Sequence, residues 1–119
     1  MIPPYHQKAA RLNRVTRLAL DVNLSRLKKA VRAGRELEES IAGLDADRRR
    51  VSANVESAST RAGVDLLWQR WADSRRAELN MALARARAEE SRARRAAKLA
   101  LGRDQALTNL LARSRRRGW

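Results

Sequence analysis

"ARARAEESRARRAAKLALGR", residues 84–103, reads in one of two ways. As a basic run it is an arginine tail for nucleic acid; as a helix with alanines three and four residues apart it is one wall of a packed helical pair. The wall reading gains weight from a complementary wall in the first half of the chain. There Leu20, Leu24, Leu27, Val31, Gly34, Leu37, Ile41, Leu44, Arg48, Val51 and Val55 succeed one another by threes and fours, the spacing of a coiled-coil seam. Two consecutive steps of three around Gly34 read as a stammer. A second apolar row, Leu12, Val15, Leu18 and Val22, is expected to widen the buried stripe near the N-terminus.

Pro3 and Pro4 are the only prolines, so helix is permitted from Tyr5 onward, and Ala, Leu, Arg, Glu and Lys favour it throughout. The pattern lapses at "ESASTRAGVD" (56–65), a small and polar stretch with Gly63, which is the best turn signal in the chain. It resumes with Val64, Leu67, Trp68, Trp71, Leu79, Ala82, Ala86, Ala93, Ala96, Ala100, Leu107, Leu110 and Leu111. The expectation is one domain over 1–119: a helix from about 6 to 56, a turn over about 57–63, a helix over about 64–114 and a basic tail over 115–119. The predicted fold class is all-α, two long helices forming an antiparallel coiled-coil hairpin. With the turn near residue 60, position i faces roughly position 120 minus i. Leu20 then meets Ala100, Leu27 meets Ala93, and Val51 lies close to Trp68, a large side chain opposite a small one in the two leucine layers.

Composition agrees with a core that is a seam and not a ball. Of 119 residues only Tyr5, Trp68, Trp71 and Trp119 are aromatic, and there is no Phe, too few bulky side chains for a rounded core of this length. Without Cys there is neither a disulfide framework nor a thiolate site. No apolar run of signal-peptide or membrane-spanning character occurs, so the chain is expected to be soluble and cytoplasmic. The net charge of +14 is unevenly spread. Residues 1–32 carry net +7, residues 33–90 net −1 and residues 91–119 net +8. In an antiparallel hairpin the two basic segments lie side by side, at the end bearing both termini, and an acidic partner relieves their mutual repulsion.

No catalytic constellation is present. His6, the lone histidine, beside two prolines, is expected to be solvated at a frayed end. The acids recur with basic residues at helical spacing, as Glu36, Glu38 and Glu39 do near Arg35, which is surface pairing. The five scattered glycines form no phosphate-cradling loop. The expectation is a protein that is not an enzyme and takes no cofactor, metal or small-molecule substrate. Trp68 and Trp71 are three apart on one helix face. A two-helix rod can bury one of them near Val51 and Val55, which leaves the other as an aromatic anchor for a partner.

Together, "LLWQRWADSRRAEL" (66–79) and "ARARAEESRARRAAKLALGRDQALTNLLAR" (84–113) resemble the cytoplasmic stalk proteins of type III export, the flagellar FliJ family and its virulence counterparts of the YscO type. The chain is shorter and richer in arginine than the usual member and lacks aromatic residues along its first helix. The resemblance implies a coiled coil that inserts the end bearing both termini into a hexameric export ATPase. It also implies a contact with the export-gate membrane protein, hence peripheral attachment to the membrane. By that resemblance Arg11, Arg14, Arg17, Arg113, Arg115, Arg116 and Arg117 would contact the ATPase, and Trp68, Trp71 and Arg75 the export gate.

Two other readings compete. A basic coiled-coil nucleic-acid-binding protein would account for the charge of +14, yet the chain has no base-reading module and no aromatics among its basic residues. Nucleic acid is therefore expected to bind only non-specifically, at low salt. An adaptor for an unrelated acidic protein is the third reading.

Overall fold

The computed structural model describes residues 4–53 and 62–117. The fold is all-α: two long helices, α1 (Pro4–Ala53) and α2 (Ala62–Arg116), form an antiparallel coiled-coil hairpin. Among the described residues only Arg117 lies outside them, in a turn whose amide donates to the carbonyl of Arg113 at 3.1 Å. Most of the expected turn, with Val55 beside it, lies outside the described residues. Gly63 already belongs to α2, and Arg115 and Arg116, read as tail, continue that helix; neither Pro nor Gly stands between Arg103 and Arg117 to end it.

The seam of α1 keeps a strict alternation of threes and fours. Asn13, Thr16, Leu20, Asn23, Leu27, Ala30, Gly34, Leu37, Ile41, Leu44, Arg48 and Val51 are each buried or partly buried. In heptad terms Asn13 opens the a positions and Thr16 the d positions. The expected stammer at Gly34 is thereby corrected: the seam runs through Asn23 and Ala30, not through Leu24, which is 41% exposed, or Val31 beside it. Asn23 is tolerated there because its side-chain amide donates to the carbonyl of Ala19 at 2.7 Å, so no polar hydrogen is stranded.

On α2 the seam passes through Asp65, Gln69, Ala72, Arg76, Leu79, Leu83, Ala86, Glu90, Ala93, Ala97, Ala100, Asp104, Leu107, Leu111 and Ser114, again by strict fours and threes. Val64, Leu67, Trp71 and Leu110 were expected on this stripe, yet all four are exposed, as is the whole row Leu12, Val15, Leu18 and Val22 on α1. A pair of helices covers only the a and d stripe of each, so these side chains have no facing helix to bury them.

Contacts fall into two units. The first comprises residues 1–30 and 89–119. Its buried apolar residues are Ala30, Ala93, Ala97, Ala100 and Leu111, and a polar layer crosses its seam. The Thr16 hydroxyl lies 3.0 Å from Asp104 Oδ1, and the Thr108 hydroxyl 3.3 Å from Asn13 Oδ1. The second unit comprises residues 31–88. Leu44, Ala72 and Leu79 are its buried cluster, with Leu37, Ile41 and Trp68 packed against them. Arg76 donates twice to Asp45, at 2.9 and 3.1 Å, Arg87 donates to Glu38 at 3.0 Å, and Arg48 bonds Asp73. Most cross-helix pairs have residue numbers that add to 120 or 121, as with Thr16 and Asp104 in the first unit or Asp45 and Arg76 in the second. The register read from the alanines and leucines therefore holds.

Gly34 is buried, but a β-carbon there would meet nothing within 4 Å. Gly34→Ala is expected to stabilise the hairpin by about 1 kcal/mol, since alanine holds helix better than glycine and the space is open. Leu44→Ala is expected to cost about 2 kcal/mol or more, because it empties the buried cluster. Urea unfolding followed by circular dichroism measures both.

Candidate interaction surfaces

The first unit carries sixteen Lys and Arg residues against four acids, net +12, and the second eleven against nine, net +2. Three of the four acids in the first unit are engaged. Asp104 sits in the seam with its side chain 14% exposed, beside the Thr16 hydroxyl and 4.0 Å from Arg17 Nε. Glu89 accepts from Arg26 at 2.7 Å and from Arg92 at 3.2 Å, and these two guanidinium bonds, Arg26 first, hold its carboxyl below the usual range. Glu90 accepts from Arg94 at 2.9 Å. The outward field of this unit is accordingly positive.

Arg11, Arg14, Arg17, Arg113, Arg115, Arg116 and Arg117 all belong to this unit and are all exposed. They do not share a face. Counted from the seam, Arg14 and Arg17 leave α1 on one flank, as Arg115 leaves α2 on that same flank, while Arg11 and Arg116 point away from the partner helix and Arg113 lies on the other flank. Arg11 stands at the level of Leu110, about one helical turn from Arg113. The arginines surround the pair.

In the second unit Trp68 is partly buried against Leu44, Ala72 and Leu79, whereas Trp71 is 54% exposed. The two rings lie 6.3 Å apart at 45°. One tryptophan thus packs beside the seam and the other is open, the division expected from the sequence. Arg75 is exposed and donates to Glu78 at 3.2 Å. Val64, Leu67 and Trp71, three and four apart and all exposed, make an apolar stripe on the outer face of α2. Apolarity alone places these three on the seam; the heptad phase puts them outside it.

His6 corrects a second expectation. Helix begins at Pro4, and His6 falls one heptad before Asn13, at a seam position, partly buried with its Nδ1 shielded. No group of three or more His, Cys, Asp or Glu able to hold a metal ion occurs among the described residues, and no helix there is long and apolar enough to cross a membrane.

Beside the seam of the first unit runs a groove of about 310 Å³ lined by Val15, Thr16, Ala19, Asn23, Ala96, Leu99, Ala100 and Arg103. The sequence does not display this groove, since it depends on which flank each apolar residue takes once the heptad phase is known. Comparison of the chain with protein families, with characterised proteins and with solved structures gives no match in any of the three.

Trp68→Ala is expected to cost about 1–2 kcal/mol, less than a fully buried tryptophan, and Trp71→Ala to change stability by about 0.5 kcal/mol or less. Comparing their urea midpoints reads the difference. Acid provides a second check. Asp45 is held below its ordinary value of 3.8 chiefly by its hydrogen bonds from Arg76, and Glu89 below 4.5. A carboxylate with a depressed folded-state pKa contributes stability that is full above the unfolded-state value and lost as pH falls through the folded-state value. The melting temperature is therefore expected to fall as pH drops below about 4.5, with a shallower fall in Asp45→Asn.

Proposed function

We propose that this chain is a non-enzymatic coiled-coil stalk of a flagellar or type III protein export apparatus. In this reading the unit bearing both termini enters the hexameric export ATPase, and Trp71, with Trp68 and Arg75 beside it, engages the export-gate membrane protein. The chain works on the cytoplasmic side and attaches to the membrane through the apparatus alone.

The observation that carries the reading is the segregation of charge, +12 on the unit containing both chain ends against +2 on the other. Arginines distributed around the circumference suit a partner that encircles the helices, because a flat acidic surface would engage only one side of them. The likeness of "LLWQRWADSRRAEL" and the C-terminal half to the FliJ and YscO stalks supports an export ATPase as that ring. A double helix of nucleic acid is the competing acidic partner, and its phosphates would draw the same cations.

The chain is expected to raise the ATPase rate of a cognate export ATPase several-fold at physiological salt, and Arg14→Glu with Arg17→Glu and Arg115→Glu to remove most of that effect. Filter binding on duplex DNA should show affinity only at low salt. Tight DNA binding that persists at physiological salt, with no effect on the ATPase, overturns the reading.

A further inference from the structure

Both flanks of the first unit carry cations. Arg14, Arg17, Lys28, Arg94, Lys98 and Arg115 lie on one, where Leu24 and Leu101 are also exposed. The other, with Arg26 and Arg103 on its inner edge, holds the larger exposed apolar group. Leu12, Val15, Val22, Leu99 and Leu110 are 53–61% exposed there, and the groove described above lies among them.

The outermost row of this flank, the c positions of both helices, has an ordered pattern. On α1 it reads Lys8, Val15, Val22, Lys29, and on α2, taken in the antiparallel sense, Arg113, Ala106, Leu99, Arg92. In the observed register Lys8 stands level with Arg113, Val15 with Ala106, Val22 with Leu99 and Lys29 with Arg92. An apolar centre about two heptads long is closed at each end by a pair of cations, over about 31 Å from Lys8 to Lys29.

We infer that this flank is a docking site for an acidic amphipathic helix of a partner protein. Such a helix seats its apolar stripe on Val15, Val22, Leu99 and Leu110 and completes a three-helix bundle, and its terminal carboxylates meet the cation pairs at the two ends. The charge chooses the occupant. A second copy would bring another unit of net +12 against this one and set Lys and Arg pairs against their own kind. Phosphate groups of a nucleic acid could meet Arg103 in the groove but would leave Val15, Val22, Leu99 and Leu110 uncovered. The inference shares this unit and Arg113 with the export reading, and the tests keep the two apart because the arginines substituted there, Arg14, Arg17 and Arg115, occupy the opposite flank.

The test uses the full chain and a fluorescein-labelled 21-residue helical peptide with Leu and Ile on one stripe of its central two heptads and Glu at both ends. Fluorescence anisotropy at physiological salt should show saturable binding. A peptide of the same composition with its stripe scrambled should bind at least tenfold more weakly, as should one with Lys in place of Glu. Val15→Asp and Leu99→Asp, both at exposed positions and checked for unchanged melting, should each weaken binding at least tenfold, while Arg14→Glu with Arg17→Glu should change it less than threefold. Equal affinity for the scrambled peptide would mean that charge alone draws the ligand and would overturn the inference. So would sedimentation showing that the chain alone dimerises through this flank and loses the dimer in Val15→Asp. Loss of ATPase stimulation with intact peptide binding counts against the export reading only.

Discussion

The thinness of the seam governs the molecule. On α2 the buried positions are mostly alanines, Ala72, Ala93, Ala97 and Ala100, so the helices approach closely, and Leu20 and Leu27 of α1 find Ala100 and Ala93 at their level. Close approach has a consequence for everything off the seam. Two helices that touch along a and d alone leave the apolar residues at c, f and g outside. Leu12, Val15, Leu99 and Trp71 are exposed because of the packing that buries Ala93 completely. A larger core would have covered them and left no apolar flank.

So narrow a seam supplies little apolar burial, and the chain uses polar residues within it to fix register. Arg76 leaves its seam position to bond Asp45 bidentately, and Arg48 bonds both Asp73 and the carbonyl of Gln69. Asn13, Thr16, Asp104 and Thr108 do the same in the other unit. A one-heptad slip would strand these groups, and an unpaired polar group inside the seam costs more than the paired one contributes. The register is thus set by penalties against the alternatives as much as by the leucines and alanines.

The antiparallel hairpin and its register were legible in the sequence because both depend on volume: alternating large and small side chains in two halves of equal length specify how they meet. Heptad phase was not. Choosing seam residues by apolarity selected Leu24 over Asn23 and Val31 over Ala30, and drew Val64, Leu67, Trp71 and Leu110 onto the wrong stripe. Spacing alone, kept to strict threes and fours, selects the observed set, but only if asparagine, arginine and aspartate are admitted to seam positions, and that depends on hydrogen bonds such as Asn23 to Ala19 that a sequence does not display. The unit-level charge segregation was legible from counting. The gathering of Leu12, Val15, Val22, Leu99 and Leu110 on one flank was not, since it turns on the phase.

Asp104 joins these two matters. It is the only acid after Glu90, and at an exposed position it would lower the field of the C-terminal arginines by a full charge. The seam instead takes its carboxylate inward, where the Thr16 hydroxyl and the Arg17 guanidinium meet it. Packing fixes the register with that charge and withdraws it from the surface in the same contact. What the outside presents beyond Glu90 is then nine basic side chains with their one local counter-ion sequestered. The basic surface of this unit is therefore shaped by the fold as well as by composition, and a change of heptad phase, which moves Asp104 off the seam, would return its carboxylate to solvent.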